Sequence, residues 1–170
     1  AGAQLEDLYG GAGIDKLTLD YSGPLPDGRT VDRIRLDPDD GTAEDDKIYV
    51  GGTGIKGPRL DDFERYDITA TDGDDDVSLY SVLGDSAVYG LGGNDTLRSR
   101  TGDNTLDGGA GDDEFLGIGL GDTVRGGAGF DRIVNFNFSD DTTGRTVDLL
   151  TGSAETGIWS GIEEAGGRFG

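Results

Sequence analysis

Between Gly90 and Val134 a large apolar residue returns at every ninth position, as Leu97, Leu106, Phe115, Val124 and Ile133. The glycine and polar residues between them repeat as well: GLGGNDTLR, SRTGDNTLD, GGAGDDEFL, GIGLGDTVR and GGAGFDRIV succeed one another without insertion. The first six places of each unit read as a glycine-rich turn. The last three read as a short strand, in which alternation sends the eighth residue to one face and its neighbours to the other. Stacked units predict a narrow interior lined by these apolar residues, extended upstream by Val77 and Val88. The step from Val77 to Val88 is two residues longer than the others.

The turns carry a chemistry of their own. Glycine accepts positive φ and lets the main chain approach an ion closely, so a six-residue turn can aim several carbonyl oxygens at one point. An Asp at the sixth place adds a carboxylate. Such oxygen ligands suit Ca2+, which takes roughly six to eight of them in loose geometry, better than Mg2+ or softer transition metals. The units starting at Gly108 and Gly126 match G-G-x-G-x-D-x-U-x at every place, U being a large apolar residue. In these residues the chain resembles the RTX family, the haemolysin-type calcium-binding repeats.

The resemblance implies an all-β fold, a right-handed parallel β-roll stapled by several calcium ions. Successive units of such a roll turn on opposite edges, and ions lie between turns two units apart. One edge then carries Asp75, Asp95, Asp113 and Asp131 at the sixth place; the other carries Ser86, Asn104 and Asp122, with Leu120 replacing the fourth-place glycine. The candidate metal ligands are Asp75, Asp95, Asp113 and Asp131 with the main chain at Gly93, Gly109, Gly111, Gly127 and Gly129, and Asp122 on the second edge. Two successive turns there lack the charge on which a hard cation depends. That edge is expected to be largely free of calcium, held by glycine turns and hydrogen bonds, with Val82, Leu83 and Ile118 exposed. Asp15, from a further complete unit at Gly10 to Thr18, is expected to stack with Asp75 and add a site on the first edge. The alternative is a separate stack for residues 1–20.

The chain divides into four segments. Residues 1–19 read as the first turns of the roll, with Leu8 in an apolar slot. Residues 20–62 hold all four prolines and two strand-like runs, Val31 to Leu36 and Lys47 to Val50, and read as an inserted loop or hairpin excursion beside the roll. Residues 63–134 form the main block, entered by a return strand at Phe63 to Thr69. Residues 135–170 read as a second excursion and a return strand, GIEE at Gly161 to Glu164, leading into a further block beyond the sequence. The excursions are duplicates, since Gly10 to Asp32 aligns without gaps onto Gly126 to Asp148 and shares GGAG and GRTVD.

Charge sharpens this picture. With 35 acidic against 14 basic residues, a formal charge of -21 and 33 glycines in 170 residues, the composition alone approaches that of a disordered linker. The nine-residue period argues against that for the calcium-loaded state. The acidity disfavours nucleic acid and anionic membranes as partners and favours cations. No apolar run suggests membrane insertion or a signal peptide. The acidic stretch Asp37 to Asp46 lacks the spacing of an EF-hand and reads as solvated surface. A chain without Met is expected to be a segment of a larger polypeptide, so neighbouring domains or repeats are natural partners.

An enzymatic role is not expected. The sequence has no His and no Cys, and its carboxylates already have a structural assignment. The resemblance implies a secreted, extracellular or cell-surface module exported by a type I system. It folds on binding calcium and assists the folding and secretion of a parent such as a toxin, protease, lipase or epimerase. The alternative is a calcium-dependent assembly or adhesion module, with self-assembly or carbohydrate contact. In that reading Phe136, Phe138, Ile158 and Trp159 either form the contact or cap the end of the coil.

Overall fold

Strands of two or three residues cannot bury a face alone and gain stability only by stacking on copies of themselves. The computed structural model shows that stacking and describes residues 8–25, 28–36, 47–50, 53–56, 60–61, 63–79, 84–99, 102–119, 121–134, 159–162 and 164–165. Among the described residues the regular structure is entirely β. The strands are β1 (Leu8–Tyr9), β2 (Lys16–Asp20), β3 (Arg33–Leu36), β4 (Lys47–Val50), β5 (Thr53–Lys56), β6 (Leu60–Asp61), β7 (Arg65–Thr69), β8 (Asp76–Ser78), β9 (Ala87–Tyr89), β10 (Thr96–Arg98), β11 (Thr105–Ala110), β12 (Glu114–Leu116), β13 (Thr123–Ala128), β14 (Arg132–Ile133), β15 (Trp159–Ser160) and β16 (Glu164–Ala165).

From β7 to β14 successive strands alternate between two sheets, which makes a parallel β-roll. One sheet has the order β16-β14-β12-β10-β8-β3-β4-β5 and the other β15-β13-β11-β9-β7-β2. Partners are in register two units apart, Leu97 on Phe115, Leu106 on Val124 and Phe115 on Ile133. Val77 pairs with Leu97 and Ile68 with Val88, a step two residues longer in each sheet. The single long interval between Val77 and Val88 accounts for both. Val77, Val88, Leu97, Leu106, Phe115, Val124 and Ile133 are all 0% exposed and belong to one core cluster.

The start of the roll departs from the expected arrangement. β2 pairs along its whole length with β7, Lys16 on Arg65 through Asp20 on Thr69, and so lies in the six-stranded sheet. The rung beside β8 is β3, with Leu36 opposite Val77. The turn of Asp15 therefore does not stack on that of Asp75, because the strands leaving those two turns lie in different sheets. The first excursion does not run wholly beside the roll either: it contributes β3 to the eight-stranded sheet and extends that sheet antiparallel through β4 and β5. Among the described residues β1 pairs with β6, in a two-stranded sheet. At the other end β15 and β16 add one more strand to each large sheet, with Gly161 between them. Val82, Leu83, Phe136, Phe138 and Ile158 lie outside the described residues, as does the side chain of Trp159. Ile118, expected at the surface, is 0% exposed and joins the core.

On the outer faces, ion pairs link neighbouring rungs: Asp76 with Arg98, Glu114 with Arg132, Lys16 with Asp67, and Asp107 with Arg125 at 3.8 Å. Their partial exposure makes each a small contribution.

The fourth-place glycines set how closely the turns stack. Gly111 has φ 135°, and a Cβ there would collide with the carbonyl oxygen of Gly93 in the turn below. Replacement by any L-residue combines backbone strain with overlap. Gly111→Ala is expected to cost about 3 kcal/mol or more in denaturant unfolding. Gly23→Ala, where nothing lies within 4 Å, should stay within about 0.5 kcal/mol. Equal effects at the two positions would contradict the stacking.

Candidate metal centre

The sixth residue of each turn turns inward and accepts a hydrogen bond from the main-chain N–H of its counterpart on the same edge. Asp95 Oδ1 accepts from Asp75 at 2.8 Å, Asp113 Oδ1 from Asp95 at 2.8 Å and Asp131 Oδ1 from Asp113 at 2.9 Å. On the other edge Ser86 Oγ accepts from Tyr66 at 3.0 Å, Asn104 Oδ1 from Ser86 at 3.0 Å and Asp122 Oδ1 from Asn104 at 2.8 Å. The ladder is the same whether its rung is a carboxylate, an amide or a hydroxyl. All these rung residues are buried. A second, exposed ladder uses the fifth place. Asp74 Oδ1 accepts from Asn94 N at 2.8 Å, Asn94 Oδ1 from Asp112 N at 2.9 Å, and Asp112 Oδ1 from Phe130 N at 2.8 Å. The sequence reading missed this second ladder, although the recurrence of Asp or Asn at the fifth place was its visible signal.

The two edges differ in what happens to the other side-chain atom. Oδ2 of Asp95, Asp113 and Asp131 is buried without a hydrogen-bond partner. Each faces a further acceptor. A Cβ on Gly90 would collide with both Asp95 Oδ2 and the Gly108 carbonyl oxygen; on Gly108, with Asp113 Oδ2 and the Gly126 carbonyl; on Gly126, with Asp131 Oδ2 and the Gly161 carbonyl. These are three equivalent cradles, each setting a carboxylate oxygen without a donor beside a main-chain carbonyl. Leaving a buried carboxylate oxygen unpaired is costly, and a hard cation is the group whose chemistry fits. Among the described residues no three acidic, His or Cys side chains converge on one point. A cation at these turns would therefore need main-chain carbonyls among its ligands.

The predicted glycines Gly93, Gly109, Gly111, Gly127 and Gly129 all have positive φ. They stack in columns, Gly111 against the Gly93 carbonyl, Gly127 against Gly109 and Gly129 against Gly111. Around the open carboxylates stand instead the first-place glycines Gly90, Gly108 and Gly126 together with Gly161. The sequence reading did not single them out for this role.

Asp75 and Asp122 are placed differently. Asp75 Oδ1 accepts from Ile34 N, and its Oδ2 accepts from Thr71 N at 2.8 Å and Thr71 Oγ1 at 2.9 Å. Asp122 Oδ2 accepts from Gly119 N at 2.8 Å, and the Ser99 hydroxyl bonds to the same carboxylate. Asp15 sits at the start of the opposite edge, its N–H donating to Glu64 Oε2 at 2.8 Å while its own Oδ2 has no partner.

Burial pushes these carboxyls upward, Asp95 to about 8 and Asp75 and Asp113 to about 6. At Asp95 the hydrogen bond from Asp75 N opposes the shift, and the charges of Asp75, Asp113 and Asp74 add to it. Asp122 is raised as well, chiefly by burial. In the unfolded chain such groups titrate near 3.8. The metal-free coil is therefore most stable below about pH 4 and loses stability as pH rises through about 6 and then 8. In chelator the residual β content by circular dichroism is expected to be higher at about pH 4 than at about pH 8, and Asp95→Asn should flatten the upper part of that dependence. A β content that climbs with pH would contradict the burial of these groups.

Residues 89–117 and 116–134 match the family described as the RTX calcium-binding nonapeptide repeat (4 copies). The comparisons with curated proteins and with solved structures find no match. The matched residues are the ones that build the stacked turns and the open carboxylates of Asp95, Asp113 and Asp131. Over residues 89–134, then, the chain is composed of RTX calcium-binding nonapeptide repeats, wound as a parallel β-roll.

Proposed function

We propose that this calcium-binding β-roll is a folding module, disordered where calcium is scarce and wound up where it is plentiful. The observation that carries the reading is the row of buried, unpartnered Oδ2 atoms on Asp95, Asp113 and Asp131. In the absence of a cation, like charges meet along one edge, and their Oδ2 oxygens have no donor to offset them. From Val88 onward the interior gives little in return, one apolar side chain per nine residues with Ile118 added. When bound, calcium supplies the positive charge that lets these carboxylates stay ionised inside the turn. Asp95, Asp113 and Asp131 hold it, with the carbonyls of Gly108, Gly126 and Gly161 beside them; Asp15 is a further open carboxylate on the other edge. Proton and cation then compete for the same oxygens.

Extracellular calcium modules bind at about 0.1 to 1 mM, far above cytosolic calcium, so such a chain travels unfolded and folds on arrival outside. We assign it on this basis to a secreted or cell-surface protein whose export and folding it assists. The module itself is non-catalytic, since it has no His or Cys and its buried carboxylates are committed to the turns.

Circular dichroism in chelator at neutral pH should show a coil-like spectrum that becomes β-rich on titration to millimolar calcium. Asp113→Asn should shift the midpoint of that transition to about tenfold higher calcium or more. A spectrum that chelator leaves unchanged would overturn the proposal.

A further inference from the structure

We infer that two hydroxyl side chains, Thr71 and Ser99, take by hydrogen bonding the place that a cation takes in the open turns. The turns ending at Asp75, Asn104 and Asp122 are thereby closed to metal. The inference rests on the reading that the open carboxylates take calcium, and it concerns which turns of the roll do so.

The geometry separates the turns into two kinds. Those of Asp95, Asp113 and Asp131 begin with Gly90, Gly108 and Gly126, where a Cβ would run into the free Oδ2. The turn of Asp75 begins with Ala70, which is 0% exposed and carries that very Cβ. Its carboxylate is drawn to the next residue instead. Thr71 gives it both its N–H and its hydroxyl, and the Thr71 oxygen in turn accepts from Gly73 N at 3.1 Å. Ile34, from the inserted strand β3, donates to the remaining oxygen. Asp75 is 2% exposed and is as deeply set as its counterparts, yet neither of its oxygens lacks a donor.

On the opposite edge Ser99 stands at the first place of its turn. Its Oγ accepts from Asn104 Nδ2 at 2.8 Å and bonds to the Asp122 carboxylate one turn on. One hydroxyl thus joins two consecutive rungs. Asn104 Nδ2 also reaches the Gly102 carbonyl at 3.4 Å, and Gly119 N donates to Asp122 Oδ2 at 2.8 Å. At the turns of Asn104 and Asp122 a donor therefore meets each side-chain oxygen that a cation would otherwise meet. A charged rung is therefore insufficient for a site: Asp75 and Asp122 carry the sixth-place carboxylate and have no oxygen to spare.

Calcium counted on the saturated protein by native mass spectrometry, with equilibrium dialysis for affinity, tests this. Asp75→Asn and Asp122→Asn, which keep the acceptor oxygen, should bind the wild-type number of ions with affinity changed less than about twofold. Asp113→Asn should lose at least one. Replacing Ala70 and Thr71 together by Gly should open the Asp75 carboxylate and add an ion. No calcium on the wild-type protein would sink the folding-module reading itself. Calcium on the wild type with an ion lost in Asp75→Asn or Asp122→Asn would overturn the hydroxyl closure alone. So would a double-glycine variant that binds only the wild-type number.

Discussion

Every turn of the roll must find an acceptor for a buried main-chain N–H, and the sixth-place side chain provides it from the neighbouring turn. An Asp, Asn or Ser does this equally well, as the matching ladders through Asp95, Asp113 and Asp131 and through Ser86, Asn104 and Asp122 show. What differs is the remainder of the side chain. Serine leaves only its hydroxyl proton to place, asparagine leaves an amide that can find a carbonyl or hydroxyl, and aspartate leaves a charged oxygen. In a buried turn with no donor, that oxygen costs on the order of a few kcal/mol. Three in a row make an edge whose stability depends on what is dissolved around it.

The apolar interior is graded along the same axis. Near the start, Tyr66, Ile68, Ala70 and Leu79 join Val31 and Ile34 of the first excursion in the core, and Phe63 meets Tyr66 edge-on with ring centroids 6.1 Å apart. From Val88 onward each strand brings essentially one buried apolar side chain, from Leu97 through Ile133. The closed turn of Asp75 lies at the thick end, and the open turns of Asp95, Asp113 and Asp131 lie along the thin one. Along the edge of Asp75, the carboxylate at the thick end is satisfied by protein donors, and those at the thin end each keep an oxygen that no donor meets. The division has a geometric cause, because the inserted strand β3 supplies both apolar residues and the Ile34 N–H that completes the Asp75 shell.

Much of this was legible in the residues because the repeat is strict. A nine-residue period with one apolar place fixes which side chains point inward, and all seven interior residues from Val77 to Ile133 are where the period puts them. The separation of Asp95, Asp113 and Asp131 from Ser86, Asn104 and Asp122 comes from the same alternation. Once the period is interrupted, however, it no longer dictates which sheet the chain rejoins. It could not tell that β3 would stand beside β8, or that β2 would join the other sheet and carry Asp15 away from Asp75. Polarity patterns failed at Ile118, a second-place turn residue that joins the core although the period assigns the interior only the eighth place. The role of Gly161 was hidden as well, because its carbonyl meets Gly126 only after the second excursion has returned.

Membership in the repeat family and capacity to hold a cation are separable properties of a unit. The matched segment contains the units that begin at Ser99 and Gly117, whose sixth-place side chains are fully engaged in hydrogen bonds within the protein, alongside those beginning at Gly90, Gly108 and Gly126, whose Oδ2 atoms are not. All share the turn, the strand and the interior side chain, since those are set by glycine spacing and the apolar eighth place. Openness depends instead on two smaller features: the absence of a Cβ at the first place, and the absence of a hydroxyl or N–H within reach of Oδ2. On the closure inferred for Thr71 and Ser99, a single methyl or hydroxyl group would change what a unit binds without changing how it folds, because neither touches the glycine spacing or the apolar eighth place.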